Sequence, residues 1–169
     1  MSEIIITSIT DQFLNEVQEI FYESSSKKEF SSLKEREEFE WKYLGYYIAT
    51  YPDFCWVAVD DKKVLGYLVS SPETATNEFY RLQPHLLTFE NEYAKFPAHL
   101  HMNMHFLSRG RGVGTMLMKK CLSFLVLQGV KGLHILTGKD SGNRAFYSKS
   151  GLIYSVECES MALHGISLV

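Results

Sequence analysis

The stretch from Pro97 to Met118, PAHLHMNMHFLSRGRGVGTMLM, leaves few folds open to the chain. From Ala98 to His105 the polar His99, His101, Asn103 and His105 alternate with Ala98, Leu100, Met102 and Met104. A strand sends successive side chains to opposite faces, so the pattern predicts a polar face of three histidines and an amide, and an apolar face turned to a core. Beyond it, Gly110, Gly112 and Gly114 fall within five residues. Apolar residues then recur at Val113, Met116, Leu117, Cys121, Phe124 and Leu125, a spacing of three and four that predicts one buried stripe on a helix.

Strand, glycine turn and helix start together make a place for an anion. Glycines remove the Cβ atoms that keep a ligand from the backbone. The helix N-terminus adds unpaired N–H groups and the positive end of the macrodipole, worth about 0.3–1 kcal/mol toward a nearby negative charge. A Walker loop is excluded, because Gly114 is followed by Thr115 and no lysine closes the loop. A dinucleotide fingerprint calls for a third glycine at position 115 and for a place at the opening of the fold, and neither is met. Glycine content alone does not separate an anion cradle from a tight turn that binds nothing.

Two segments in order carry a resemblance. Arg109-Gly110-Arg111-Gly112-Val113-Gly114 resembles the R/Q-x-x-G-x-G/A segment by which the GNAT superfamily of N-acetyltransferases holds the pyrophosphate of acetyl-CoA. Further on, Arg144-Ala145-Phe146-Tyr147-Ser148-Lys149-Ser150-Gly151-Leu152 resembles the superfamily's R-A-x-x-F-Y-x-K-x-G-F segment, with Asn143 close to an expected asparagine. Pro-Ala-His-Leu-His-Met-Asn at 97–103 is similar to the lead-in of a branch that includes the acetyltransferase-like domain of O-GlcNAc hydrolases. That branch tends to have aspartate where this chain has Asn103.

The resemblance implies an α/β fold with a central mixed sheet of about six to seven strands flanked by helices. It implies one N-acetyltransferase domain over residues 1–169. The activity implied is transfer of an acetyl group from acetyl-CoA to an amine, by direct attack in a ternary complex, with no metal. The residues implied for acetyl-CoA are Met102, Met104, Arg109, Gly110, Arg111, Gly112, Val113, Gly114, Thr115 and Asn143. Met104 corresponds to the backbone that holds the thioester carbonyl, and Tyr147 to the tyrosine that protonates the leaving thiolate. His101 resembles the second histidine of the H-x-H strand of arylalkylamine N-acetyltransferases, which makes it the candidate base, with His99 behind it. The competing class is an acetyltransferase-shaped binding module that transfers nothing.

Charge is consistent with an anionic cofactor and a cationic acceptor. The chain carries a net −3, which argues against nucleic acid as partner. Residues 1–61 hold 13 acidic and 5 basic side chains, a balance of −8, and residues 62–169 hold 7 and 12, a balance of +5. The basic half surrounds the glycine turn, and an acidic half draws in cations. Cys55, Cys121 and Cys158 are odd in number and widely spaced, which suggests small core residues and neither disulfides nor a zinc site. The start carries no basic leader and no apolar run is long enough to span a membrane, so a cytoplasmic protein, monomer or homodimer, is expected.

Along the rest of the chain, the residues predict an edge strand at Glu3–Ser8 and a helix behind Thr10 or Asp11. A second helix is predicted over Ser32–Ala49, and a hairpin of Phe54–Val59 with Val64–Ser70. Residues 71–97, with three prolines, read as a lid, a binding loop or a surface excursion around a short helix near Asn77–Leu82. A strand at Leu133–Thr137, parallel to the first across its helix, a short helix at Asn143–Ser150 and a strand pair at Leu152–Val156 and Glu159–Leu163 complete the reading.

Overall fold

The computed structural model describes residues 3–61 and 63–169. The chain runs through β1 (Ile5–Ser8), α1 (Asp11–Ser24), α2 (Leu33–Glu40), a π-helical turn (Trp41–Gly45) and α3 (Tyr46–Thr50). It continues through β2 (Cys55–Asp60), β3 (Lys63–Ser71), α4 (Asn77–Leu82), β4 (Ala98–Met104) and α5 (Val113–Leu127). β5 (Gly132–Gly138), α6 (Arg144–Lys149), β6 (Tyr154–Glu157) and β7 (Met161–Ser167) close it. The seven strands form one mixed sheet, flanked by helices, in the order β1-β2-β3-β4-β5-β7-β6.

The chain falls into two compact units, Met1–Ser70 with His101–Cys121 and Ser71–Leu100 with Leu122–Val169. In the first, β1 pairs antiparallel with β2, and β2 with β3, as the hairpin reading expects. One residue of that hairpin turn, Lys62, lies outside the described residues, as do Met1 and Ser2. α1 turns Phe13, Val17, Ile20 and Phe21 inward, at the three- and four-residue spacing of a helix face.

The second predicted helix is not uniform. α2 buries no residue and is held at its start by its N-cap, Ser32, whose Oγ accepts the Glu35 N–H at 3.1 Å, while Glu35 Oε2 accepts the Ser31 N–H at 2.6 Å. A bond from the Lys27 ammonium, joined by the Ser31 donors, pulls the Glu35 carboxyl down to about 2. After Glu40 the backbone widens, with the Tyr46 N–H bonding Trp41 O five residues back, and α3 then buries Tyr47. A single wide turn has no period of its own, so the residue pattern could not show it.

In the second unit, β4 and β5 pair parallel and β5 and β7 antiparallel. β6 pairs only with β7, so β7 lies between it and β5. Residues 71–97 hold the expected short helix, α4, and pack inward. They bury Phe79, Leu86, Phe89, Tyr93 and Phe96, and the Tyr93 hydroxyl donates to Leu86 O at 2.6 Å. Five such side chains fill a core layer, which a mobile loop does not do.

Helix α5 follows four of the six positions of its predicted stripe, with Phe124 half-buried. Val113, Leu117, Cys121 and Leu125, four residues apart, are each 1% exposed or less. Met116 is 36% exposed, and Met118 is buried instead. The inward face is therefore rotated by part of a turn from the predicted one. The helix ends at Leu127, with the Gly129 N–H on Val126 O and the Val130 N–H on Leu125 O, both at 3.0 Å.

Candidate active site

The glycine turn uses the backbone freedom of its glycines. Gly110 and Gly112 stand at φ +78° and +79°, in the left-handed region that other residues enter at a cost. A Cβ built on either would meet nothing within 4 Å, so open space and not neighbouring protein lies over the turn. The Met116 N–H bonds Gly112 O at 3.1 Å, which leaves the first-turn N–H groups of Val113, Gly114 and Thr115 ahead of the first helical bond. The buried Val113 side chain anchors them.

Arg111 has partners within the chain. Its N–H is taken by Ser108 O at 3.2 Å, and its guanidinium pairs with Asp60 Oδ2 at 3.0 Å. Arg109 is exposed and makes no ion pair among the described residues. Ser108 pins the approach to the turn, because its buried hydroxyl lies 2.5 Å from Leu65 O and 2.8 Å from His105 O.

The predicted histidine face separates into three surroundings. His99 is buried, with Nδ1 2.7 Å from Thr74 Oγ1 and its ring 5.8 Å from that of His134. Thr74 donates its own proton to Pro97 O at 2.8 Å, so His99 Nδ1–H is the donor of that pair. His105 lies past the end of β4, where its Nδ1 accepts the Leu107 N–H at 3.3 Å. Of that face, His101 and Asn103 are the half-buried residues on the strand. His101 Nε2 lies 3.0 Å from the hydroxyl of the buried Tyr47, and Asn103 Nδ2 donates to that of the buried Tyr67 at 2.8 Å. Burial raises the Tyr67 phenol above its ordinary value, against the Asn103 bond and with help from the Glu40 charge.

The β4–β5 ladder holds two pairs, Ala98 with Leu133 and His99 with His134. Leu100 to Met104 run on past the last pair, and Met102 and Met104 are half-buried there. Gly66 on β3 lets this end of β4 come close. A Cβ on Gly66 would lie 2.6 Å from Met104 Sδ and 3.0 Å from Asn103 O. The residue reading missed Gly66, although a glycine inside the β-rich run Val64-Leu65-Gly66-Tyr67 is the usual mark of a close backbone approach.

The remaining two candidates lie in the second unit. Tyr147 on α6 is 8% exposed, its hydroxyl makes no hydrogen bond among the described residues, and burial pushes its phenol up to about 12. Asn143 precedes α6, and its Oδ1 accepts from both Thr137 Oγ1 and Ser141 Oγ at 2.8 Å. These bonds fix the amide. No group of three or more His, Cys, Asp or Glu that could hold a metal occurs among the described residues. No helix among them is long and apolar enough to cross a membrane.

The sequence profile of the acetyltransferase (GNAT) family matches residues 11–152. The chain belongs to this family. A sequence search of curated proteins finds no match. Among solved structures the GNAT chain is similar to SsHAT, at 19% identity and a TM-score of 0.82 over 99% of both chains. It is similar to PH1933 from Pyrococcus horikoshii OT3, at 18% identity and 0.71 over 95% of this chain and 97% of that one. It is also similar to YncA from Salmonella typhimurium, solved with its cofactor acetyl-CoA, at 10% identity and 0.65 over 98% and 94%. At these identities the likeness is one of fold.

Proposed function

We propose that this GNAT protein is an acyltransferase that passes the acetyl group of acetyl-CoA directly to an amine held beside it. The left-handed Gly110 and Gly112 ahead of α5, with open space above them, carry the reading. They fit a pyrophosphate, held by the N–H groups of Gly110, Gly112, Val113, Gly114 and Thr115 with Arg109 nearby. Arg111 is reserved for Asp60 and joins the anion only by giving up that pair.

When bound, acetyl-CoA supplies a thioester carbonyl open to attack by nitrogen. The main chain of Met102 and Met104, past the end of the β5 ladder, serves as its hydrogen-bonding edge. One donor aimed at a developing oxyanion is worth about 2.7–4 kcal/mol. His101 takes the proton of the amine, and Asn143 offers its fixed amide to the cofactor. Tyr147 keeps its proton throughout the neutral range, since its phenol titrates only at about 12. It is thus a weaker acid than a thiol of about 8.5, and acts by donating a hydrogen bond to the departing sulfur without releasing the proton fully.

The test is a thermal-shift titration with acetyl-CoA and with a dinucleotide, followed by a thiol-release screen of small amines, peptides and aminoglycosides. Stabilisation by acetyl-CoA alone, with thiol released by some amine, is the expected outcome. Stabilisation without release from any amine favours the binding module, to which the 97–103 resemblance also leads. Absence of stabilisation by acetyl-CoA overturns both.

A further inference from the structure

Nothing in the sequence motifs points to Tyr47, yet it is the residue that holds the imidazole of His101. Tyr47 is fully buried at 0% exposure, and its hydroxyl lies 3.0 Å from His101 Nε2. Its ring meets the imidazole edge-on, with centroids 5.3 Å apart at 84°. Tyr43, from the π-helical turn, meets the same ring at 5.6 Å and 81°. The wide turn places Tyr43 and Tyr47 together against one side chain of β4.

A base needs its lone pair on the nitrogen that faces the acid. Where the phenol oxygen of Tyr47 accepts from Nε2–H, the lone pair of the neutral ring lies on Nδ1. We infer that Tyr47 is a positioning residue for acetyl transfer, its phenol oxygen accepting the Nε2–H of His101 and so fixing the tautomer that carries the lone pair on Nδ1. The inference rests on His101 being the base of the proposed reaction. The amine proton passes to Nδ1, and from the imidazolium it passes to water once the acetyl group has moved.

This arrangement strengthens the base as well as orienting it. A hydrogen bond from a charged donor is worth more than one from a neutral donor, so the phenol stabilises imidazolium more than imidazole. Other polar groups of this unit have different surroundings. Tyr43 is neutral, its phenol raised by burial. Asn103 and Tyr67 bond each other. The two Glu40 carboxylate oxygens on α2 accept from Gln18 Nε2 and the Tyr22 hydroxyl, both at 2.7 Å.

The experiment uses isotope-labelled histidine in the full chain, without acetyl-CoA, and reads the His101 tautomer and its titration by proton–nitrogen correlation spectra. The parent protein is expected to show the Nε2–H tautomer. Tyr47→Phe is expected to lower the His101 pKa by about half a unit to one unit. The acid limb of kcat/KM for the amine should move by the same amount, with about a tenfold to hundredfold loss on the plateau and an unchanged KM for acetyl-CoA. An Nδ1–H tautomer in the parent, or the same His101 pKa in both proteins, overturns the inference. If Tyr47→Phe does not fold, the parent tautomer still decides. Should His101→Gln retain the acid limb, the base assignment falls, whereas the spectra report on the tyrosine independently of any turnover.

Discussion

His99 and His101 stand two residues apart on one strand, point to the same side by alternation, and have different work. His99 is enclosed, its Nδ1–H given to Thr74, its ring against His134 and edge-on to Phe79 at 4.6 Å. The hydroxyl it meets is itself bonded to Pro97 O, so the network is closed. His101 is half-buried, and its partner is a phenol reached from a helix. Alternation assigns a face to a side chain, but what covers that face comes from elsewhere in the chain.

The comparison predicts a crossed pair of outcomes, with the largest effect on catalysis. His101→Gln should lower kcat/KM for the amine by about 10²–10⁴-fold, the range for losing a positioned base, with Tm and acetyl-CoA affinity little changed. His99→Ala should do the reverse. It empties a packed ring site and strands the Thr74 oxygen, at about 2–4 kcal/mol, while turnover per folded molecule is retained. Activity lost in the His99 variant at an unchanged Tm would break the distinction between the two.

A smaller effect is expected where β4 is approached by β3. Gly66→Ala brings a methyl group onto the flexible end of Met104, which can shift, and to 3.0 Å from Asn103 O, which is backbone. Overpacking of this kind costs about 1–3 kcal/mol. If Met104 contributes main chain to the thioester site, KM for acetyl-CoA should rise as well. A stability loss with unchanged kinetics would confine Gly66 to packing.

Local signals made much of this legible. The alternation gave β4, three closely spaced glycines gave the turn, and the four-residue row gave the buried side of α5, since each depends on residues adjacent in sequence. What escaped depends on contacts across 36 to 54 positions, such as Tyr67 with Asn103 and Tyr47 with His101. Tyrosines in a helix look alike whether they fill a core or hold an imidazole. The π-helical turn that sets Tyr43 and Tyr47 has no compositional mark. In residues 71–97 the short helix at Asn77–Leu82 was legible, whereas the five buried aromatic and aliphatic side chains were not, because what they pack against lies outside the segment's own pattern.

The smallest expected effect concerns a third histidine. His164 on β7 is 5% exposed, and its Nε2 has no hydrogen-bond partner among the described residues. Burial, with the Arg144 charge, depresses its pKa below 6.5, and Glu157 only partly opposes this. The unfolded chain therefore binds a proton at higher pH than the folded one does. The stability that His164 contributes is complete above about pH 6.5 and declines as pH falls toward its folded pKa, by at most about 1.4 kcal/mol per unit. Thermal unfolding from about pH 7.5 to about pH 5 should show Tm falling in the parent and falling less steeply in His164→Phe. His101→Gln, which removes the acid limb of kcat/KM, should leave the Tm slope as in the parent. If the slope instead vanishes with His101 and survives the loss of His164, the half-buried histidine carries the linkage, and the division between a closed packing histidine and an open working one does not hold.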